Sequence, residues 1–67
     1  FGMKITINGA PTEVAADTLA ATLEELGYGG AKVATAVNET FVPVAARGET
    51  VLAPGDRVEI VAPRQGG

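Results

Sequence analysis

The groups that could take part in chemistry sit at few positions: the paired carboxylates Glu24-Glu25, the glycines Gly29-Gly30, and the terminal Gly66-Gly67. Paired carboxylates suggest acid–base work, but consecutive residues on a helix lie about 100° apart around its axis and do not converge on one substrate. Glu24 and Glu25 therefore read as a solvated helix face. A glycine-rich loop can cradle phosphate on its backbone N–H groups, given a lysine and a serine or threonine to complete it. Tyr28-Gly29-Gly30 has neither, and it follows a helical segment instead of leading into one. It reads as a connection. The terminal pair offers something else, a main-chain carboxylate preceded by residues without Cβ atoms, able to thread a narrow tunnel. Taken alone, two final glycines specify nothing.

Composition removes most alternatives. The 67 residues contain no cysteine and no histidine. Serine–histidine and cysteine–histidine nucleophiles are excluded, and a zinc site would have to be built from carboxylates. The length allows one domain, which at this size buries only about 60% of its unfolded-chain surface. Five basic residues stand against eight acidic ones, a net charge of -3. Lys4, Lys32, Arg47, Arg57 and Arg64 are scattered singly and form no basic stripe, so nucleic acid is not an expected partner. No apolar run approaches a membrane span, and no export leader is evident, so a cytoplasmic location is expected. Phe1-Gly2 reads as an expression scar. What remains is a carrier, a binding module or a subunit of something larger.

The elements that must position such groups follow from periodicity. Met3 to Asn8 alternates apolar and polar residues, as a half-buried strand does. Asn8-Gly9 is a hairpin turn signal, and Pro11 to Val14 is the short return strand, with its proline suited to an edge. Asp17 is the expected N-cap of a helix in which Leu19, Leu23 and Leu26 form one apolar stripe. Gly27 stands at the left-handed C-cap position. Lys32 to Asn38 and Phe41 to Val44 read as a second hairpin, and Ala45 to Leu52 as a loosely patterned connection. Pro54-Gly55-Asp56 is a turn into a last strand, Arg57 to Ala62. The order ββαβββ, a mixed sheet packed on one helix with its first and last strands central, is an α+β, ubiquitin-like β-grasp fold. Residues 3–62 are expected to form this domain and 63–67 a flexible tail ending in Gly-Gly.

A free carboxyl end after a β-grasp body resembles the ubiquitin-like sulfur carriers, and the ThiS family in particular. The resemblance spans Met3 to Gly67. It is densest at Val37-Asn38, Val42-Pro43, Leu52 with Gly55-Asp56, Val58-Glu59-Ile60 and Gln65-Gly66-Gly67. One segment departs from the family pattern: Val44 to Thr50 carries Arg47 but no bulky aromatic.

The resemblance implies a function carried by the carboxyl end itself. The Gly67 carboxylate would be adenylated by a ThiF-type enzyme using ATP. It would then become a thiocarboxylate with sulfur from a cysteine desulfurase or other donor. A ThiG-type thiazole synthase would take that sulfur for the thiazole ring of thiamine. The chain would be a co-substrate and not an enzyme, binding no cofactor or metal itself. Gly66, Gln65 and Arg64 would thread the partner's tunnel.

Strand parity suggests where a partner docks. If Val58 and Ile60 face the helix, Glu59 and Val61 face away, as do Ala34 and Ala36. Ala36, Phe41 and Val61 then form an apolar docking patch, unless Phe41 is core. A small subunit of the molybdopterin-synthase type, a ubiquitin-like modifier, and a binding domain with an incidental Gly-Gly remain alternatives. The prolines near both outer strands favour a free monomer.

Overall fold

The computed structural model describes residues 2–62. They form β1 (Met3–Ile7), β2 (Ala10–Val14), α1 (Leu19–Glu25), β3 (Ala34–Val37), β4 (Thr40–Val42), a 3-10 helix (Val44–Glu49) and β5 (Arg57–Val61). The five strands make one sheet in the order β2-β1-β5-β3-β4. β1 and β5 run parallel, and every other neighbouring pair is antiparallel. The expected order of elements and the inner placement of the first and last strands are both observed.

Local chemistry explains the turns. Asn8 and Gly9 both take positive φ, 52° and 86°, and join β1 to β2. Asn38 and Glu39 do the same between β3 and β4, at 50° and 72°. Two positive-φ central residues make a type I′ turn, whose twist matches that of the flanking strands. Ala53 to Asp56 closes a third turn, with the Asp56 N–H donating to the Ala53 carbonyl at 3.0 Å. Pro54 presets its second position, and Gly55 supplies the φ of 89° required at its third.

Burial alternates along β5, with Val58 and Ile60 buried and Arg57, Glu59 and Val61 exposed. The inward residues meet Ile5 and Val14 from the first hairpin, Val42 from the second, Leu52, and Leu19 and Leu23 of α1. Leu26 and Tyr28 pack at the rim of this core. α1 ends in paired reverse bonds, Tyr28 N–H to the Leu23 carbonyl (2.8 Å) and Gly27 N–H to the Glu24 carbonyl (3.1 Å). Gly27, at φ 92°, makes that reversal.

Several local expectations change. Thr18, not Asp17, caps α1: its backbone is extended and its Oγ1 accepts from the Ala21 N–H at 3.1 Å. The Asp17 carbonyl instead accepts from the Leu52 N–H at 2.8 Å, while Thr18 bridges Val51, so 17–18 lie alongside 50–52. The segment expected as loose connection contains the 3-10 helix. Val44 belongs to that helix and not to β4. β3 starts at Ala34 instead of Lys32, because its partner strand β5 ends at Val61, directly opposite Ala34.

Candidate functional site

Arg64, Gln65, Gly66 and Gly67, the expected sulfur-bearing end and its approach, lie outside the described residues. What is described is the platform from which they depart. β5 occupies the middle of the sheet, so the strand leading to the carboxyl end has neighbours on both sides. On one side Val61 pairs with Ala34. On the other side β1 supplies only two register pairs, Thr6 with Arg57 and Ile7 with Val58.

Asn8 extends that second side. Its backbone N–H donates to the Val58 carbonyl at 2.9 Å. Its side-chain Nδ2 donates to the Ile60 carbonyl at 3.0 Å, and its Oδ1 accepts from the Ile60 N–H at 2.8 Å. Asn38 does similar work where β5 begins: Oδ1 accepts from the Arg57 N–H at 2.9 Å and Nδ2 donates to Asp56 Oδ1 at 3.0 Å. Both asparagines were legible as turn residues; their side-chain partners had no local signal.

The expected docking patch lies on the sheet face turned away from α1. Phe41 is the register partner of Ala36, and Ala36 is that of Glu59; Ala34 and Val61 form the adjacent row. Phe41 is 65% exposed and Val61 61%, so Phe41 is surface and not core. Ala36 is half-buried between its two neighbouring strands. A carboxylate therefore sits within the apolar patch, at Glu59. Arg57, on the same face, lies 3.7 Å from Glu39, an exposed pair of small energetic weight.

The other chemical candidates are accounted for structurally. Glu25 is more than a solvated face: its carboxylate accepts from the Ala15 and Ala16 N–H groups at 3.0 Å, tying α1 to the end of the first hairpin. A groove beside Gly29 is lined by Tyr28, Ala31, Val44 and Arg47. The Arg47 guanidinium is turned inward, with Nε donating to Thr35 Oγ1 at 3.0 Å and a terminal nitrogen donating to the Val33 carbonyl. The aromatic-free segment thus anchors the 3-10 helix through Arg47. Among the described residues no group of three or more acidic, histidine or cysteine side chains could hold a metal. No helix of those residues is long and apolar enough to cross a membrane.

The family model for the ThiS family matches residues 5–67. A crystal structure of a thiamine biosynthesis protein (ThiS) from Geobacter metallireducens superposes with a TM-score of 0.82 at 29% sequence identity. That alignment covers 97% of this chain and 100% of the other. No curated protein matches the chain.

Proposed function

Because the chain belongs to the ThiS family of small sulfur carriers, we propose that its Gly67 carboxylate is the group that carries sulfur for the thiazole ring of thiamine. The observation that supports this most is the extent of the family match, which runs through Gly66 to Gly67. A carboxylate is a poor electrophile, and the glycine loop at 29–30 has no P-loop lysine, so activation comes from outside.

The chemistry follows from the carboxylate. A ThiF-type enzyme brings ATP; a carboxylate oxygen of Gly67 attacks the α-phosphorus and pyrophosphate leaves. The acyl carbon of the resulting adenylate is open to attack by the terminal sulfur of a persulfide, formed by a cysteine desulfurase or other donor, and AMP leaves. A thiol then reduces the acyl disulfide, leaving the thiocarboxylate for a ThiG-type thiazole synthase. The chain acts as co-substrate and binds no cofactor of its own; ATP belongs to the activating partner.

The body serves as a handle. Five extended residues beyond Ala62 span at most roughly 16–18 Å, enough to place Gly67 inside a partner while the sheet stays outside. Phe41, Ala36 and Val61 are the proposed docking patch, and Arg64, Gln65 and Gly66 the threading residues. The free protein acts as a cytoplasmic monomer: Pro11 sits on the outer strand β2, and Pro43 directly follows the outer strand β4.

Intact mass tests the reading. Incubation with ATP, the adenylating enzyme and a sulfur donor adds about 16 Da, oxygen replaced by sulfur at the acyl group, and deleting Gly67 abolishes the gain. No gain in the full-length chain overturns the carrier reading. A ladder of lysine-linked adducts replaces it with a protein modifier.

A further inference from the structure

We infer that Asn8 is a positioning residue for the carboxyl end, acting as a side-chain rung that holds the end of β5 in line. The inference rests on the carrier reading above, and deepens it by naming what aims the reacting end.

The backbone of β5 bonds alternately to its two neighbours. Arg57 faces β3, where its carbonyl accepts from the Asn38 N–H at 2.7 Å. Val58 faces β1, where its carbonyl accepts from the Asn8 N–H. The next residue of that second set is Ile60, but β1 has already turned away at Asn8-Gly9. Without a substitute, the Ile60 N–H and carbonyl would have no strand beside them. The Asn8 carboxamide presents one donor and one acceptor in the arrangement of a peptide group, and it bonds both. A chain separation of 52 residues is closed at the point where the platform ends.

The consequence is directional. With Asn8 in place, Val61 is held by Ala34 and Ile60 by Asn8, so the strand end is fixed from both sides. With Asn8 removed, only the β3 side holds the end of β5, and Ile60 and Val61 fray more readily. A strand end held in one place delivers the residues that follow it to a docked active site with less ordering cost than one that frays. The effect falls on productive binding, since every atom of the reacting carboxylate is unchanged.

Two turn-compatible variants separate this role from general stability. Asn8→Gly keeps the positive-φ turn and deletes both rungs. Asn38→Gly deletes the equivalent side-chain bonds at the far end of β5, away from the carboxyl end. Amide hydrogen exchange and adenylation kinetics are measured on the full chain with its ATP-dependent activating enzyme. Asn8→Gly is expected to speed exchange at Ile60 and to raise the KM for the carrier about three- to tenfold with kcat near its original value, the range set by losing one or two part-buried hydrogen bonds. Asn38→Gly is expected to leave KM unchanged. Asn8→Asp, which keeps the acceptor for the Ile60 N–H, restores part of the loss. Unchanged Ile60 exchange, an unchanged KM in Asn8→Gly, or an equal rise in Asn38→Gly overturns the inference. A wild-type chain that is never adenylated overturns the carrier reading instead, and takes the positioning role with it.

Discussion

Arg47 and Thr35 share a hydrogen bond across 12 positions of sequence: the guanidinium Nε donates to the Thr35 hydroxyl at 3.0 Å. That hydroxyl passes its own proton on, donating to the Val42 carbonyl at 2.9 Å. The relay joins the 3-10 helix to β3 and β4, and it satisfies a threonine that is only 1% exposed.

Arg47→Ala breaks the relay at its source and leaves the Val33 carbonyl without its cationic donor. A loss of about 1–3 kcal/mol in unfolding free energy is expected, measured by urea titration. Arg47→Lys recovers little of it, because a lysine ammonium cannot supply two donors in one plane.

The two buried threonines answer substitution with opposite signs. Thr22, 0% exposed on α1, has a hydroxyl with no hydrogen-bond partner among the described residues. Thr22→Val removes that unsatisfied oxygen at nearly equal volume and raises stability by about 1 kcal/mol. Thr35→Val strands both the Arg47 donor and the Val42 acceptor and lowers stability by about 1–3 kcal/mol. Thermal melts of the two single variants give the comparison; matching signs refute the assignment of Thr35 as the satisfied member.

Phe41→Asp and Val61→Asp test the proposed docking patch. Both side chains are exposed, so folding stability changes by no more than about 0.5 kcal/mol. The KM for adenylation rises about tenfold, the weight of one interface anchor. Unaltered kinetics in a folded Val61→Asp protein removes this face from consideration.

Gly55→Ala probes a turn with no steric neighbour. A Cβ there would meet nothing within 4 Å, so only the φ of 89° opposes it. The expected loss is about 1 kcal/mol, with no change in the rate of adenylation. A larger loss would mean that the turn does more than set the start of β5.

Much of this fold can be read from short-range pattern. Alternation in Met3 to Asn8, the Leu19, Leu23 and Leu26 stripe, and the Pro54-Gly55 turn each declare their element locally. The outward face also follows from parity, but the place of Phe41 does not. It is set by the two-residue turn at Asn38-Glu39, which brings Phe41 opposite Ala36. The 3-10 helix is hidden for a physical reason: Val44-Ala45-Ala46 has no periodicity, and its anchor is a bond from Arg47 to Thr35 of β3, 12 positions away. The choice of Thr18 over Asp17 as cap is likewise made by distant partners, Val51 and Leu52. At the candidate site Gly66-Gly67 was legible as composition, whereas the Asn8 bond to Ile60 depends on two residues that meet only in the finished sheet.

The position of β5 bears on how the protein comes into being. The hairpins β1–β2 and β3–β4 join one another in the sheet only through that strand. Chain synthesis therefore delivers the central plank last, and the two hairpins have no common edge until it arrives. A chain cut short before residue 57 has nothing to unite them and leaves apolar faces for proteases and chaperones to find. Completeness is thus checked by folding itself: a body sound enough to be recognised has already received the strand that leads to the proposed sulfur-bearing end.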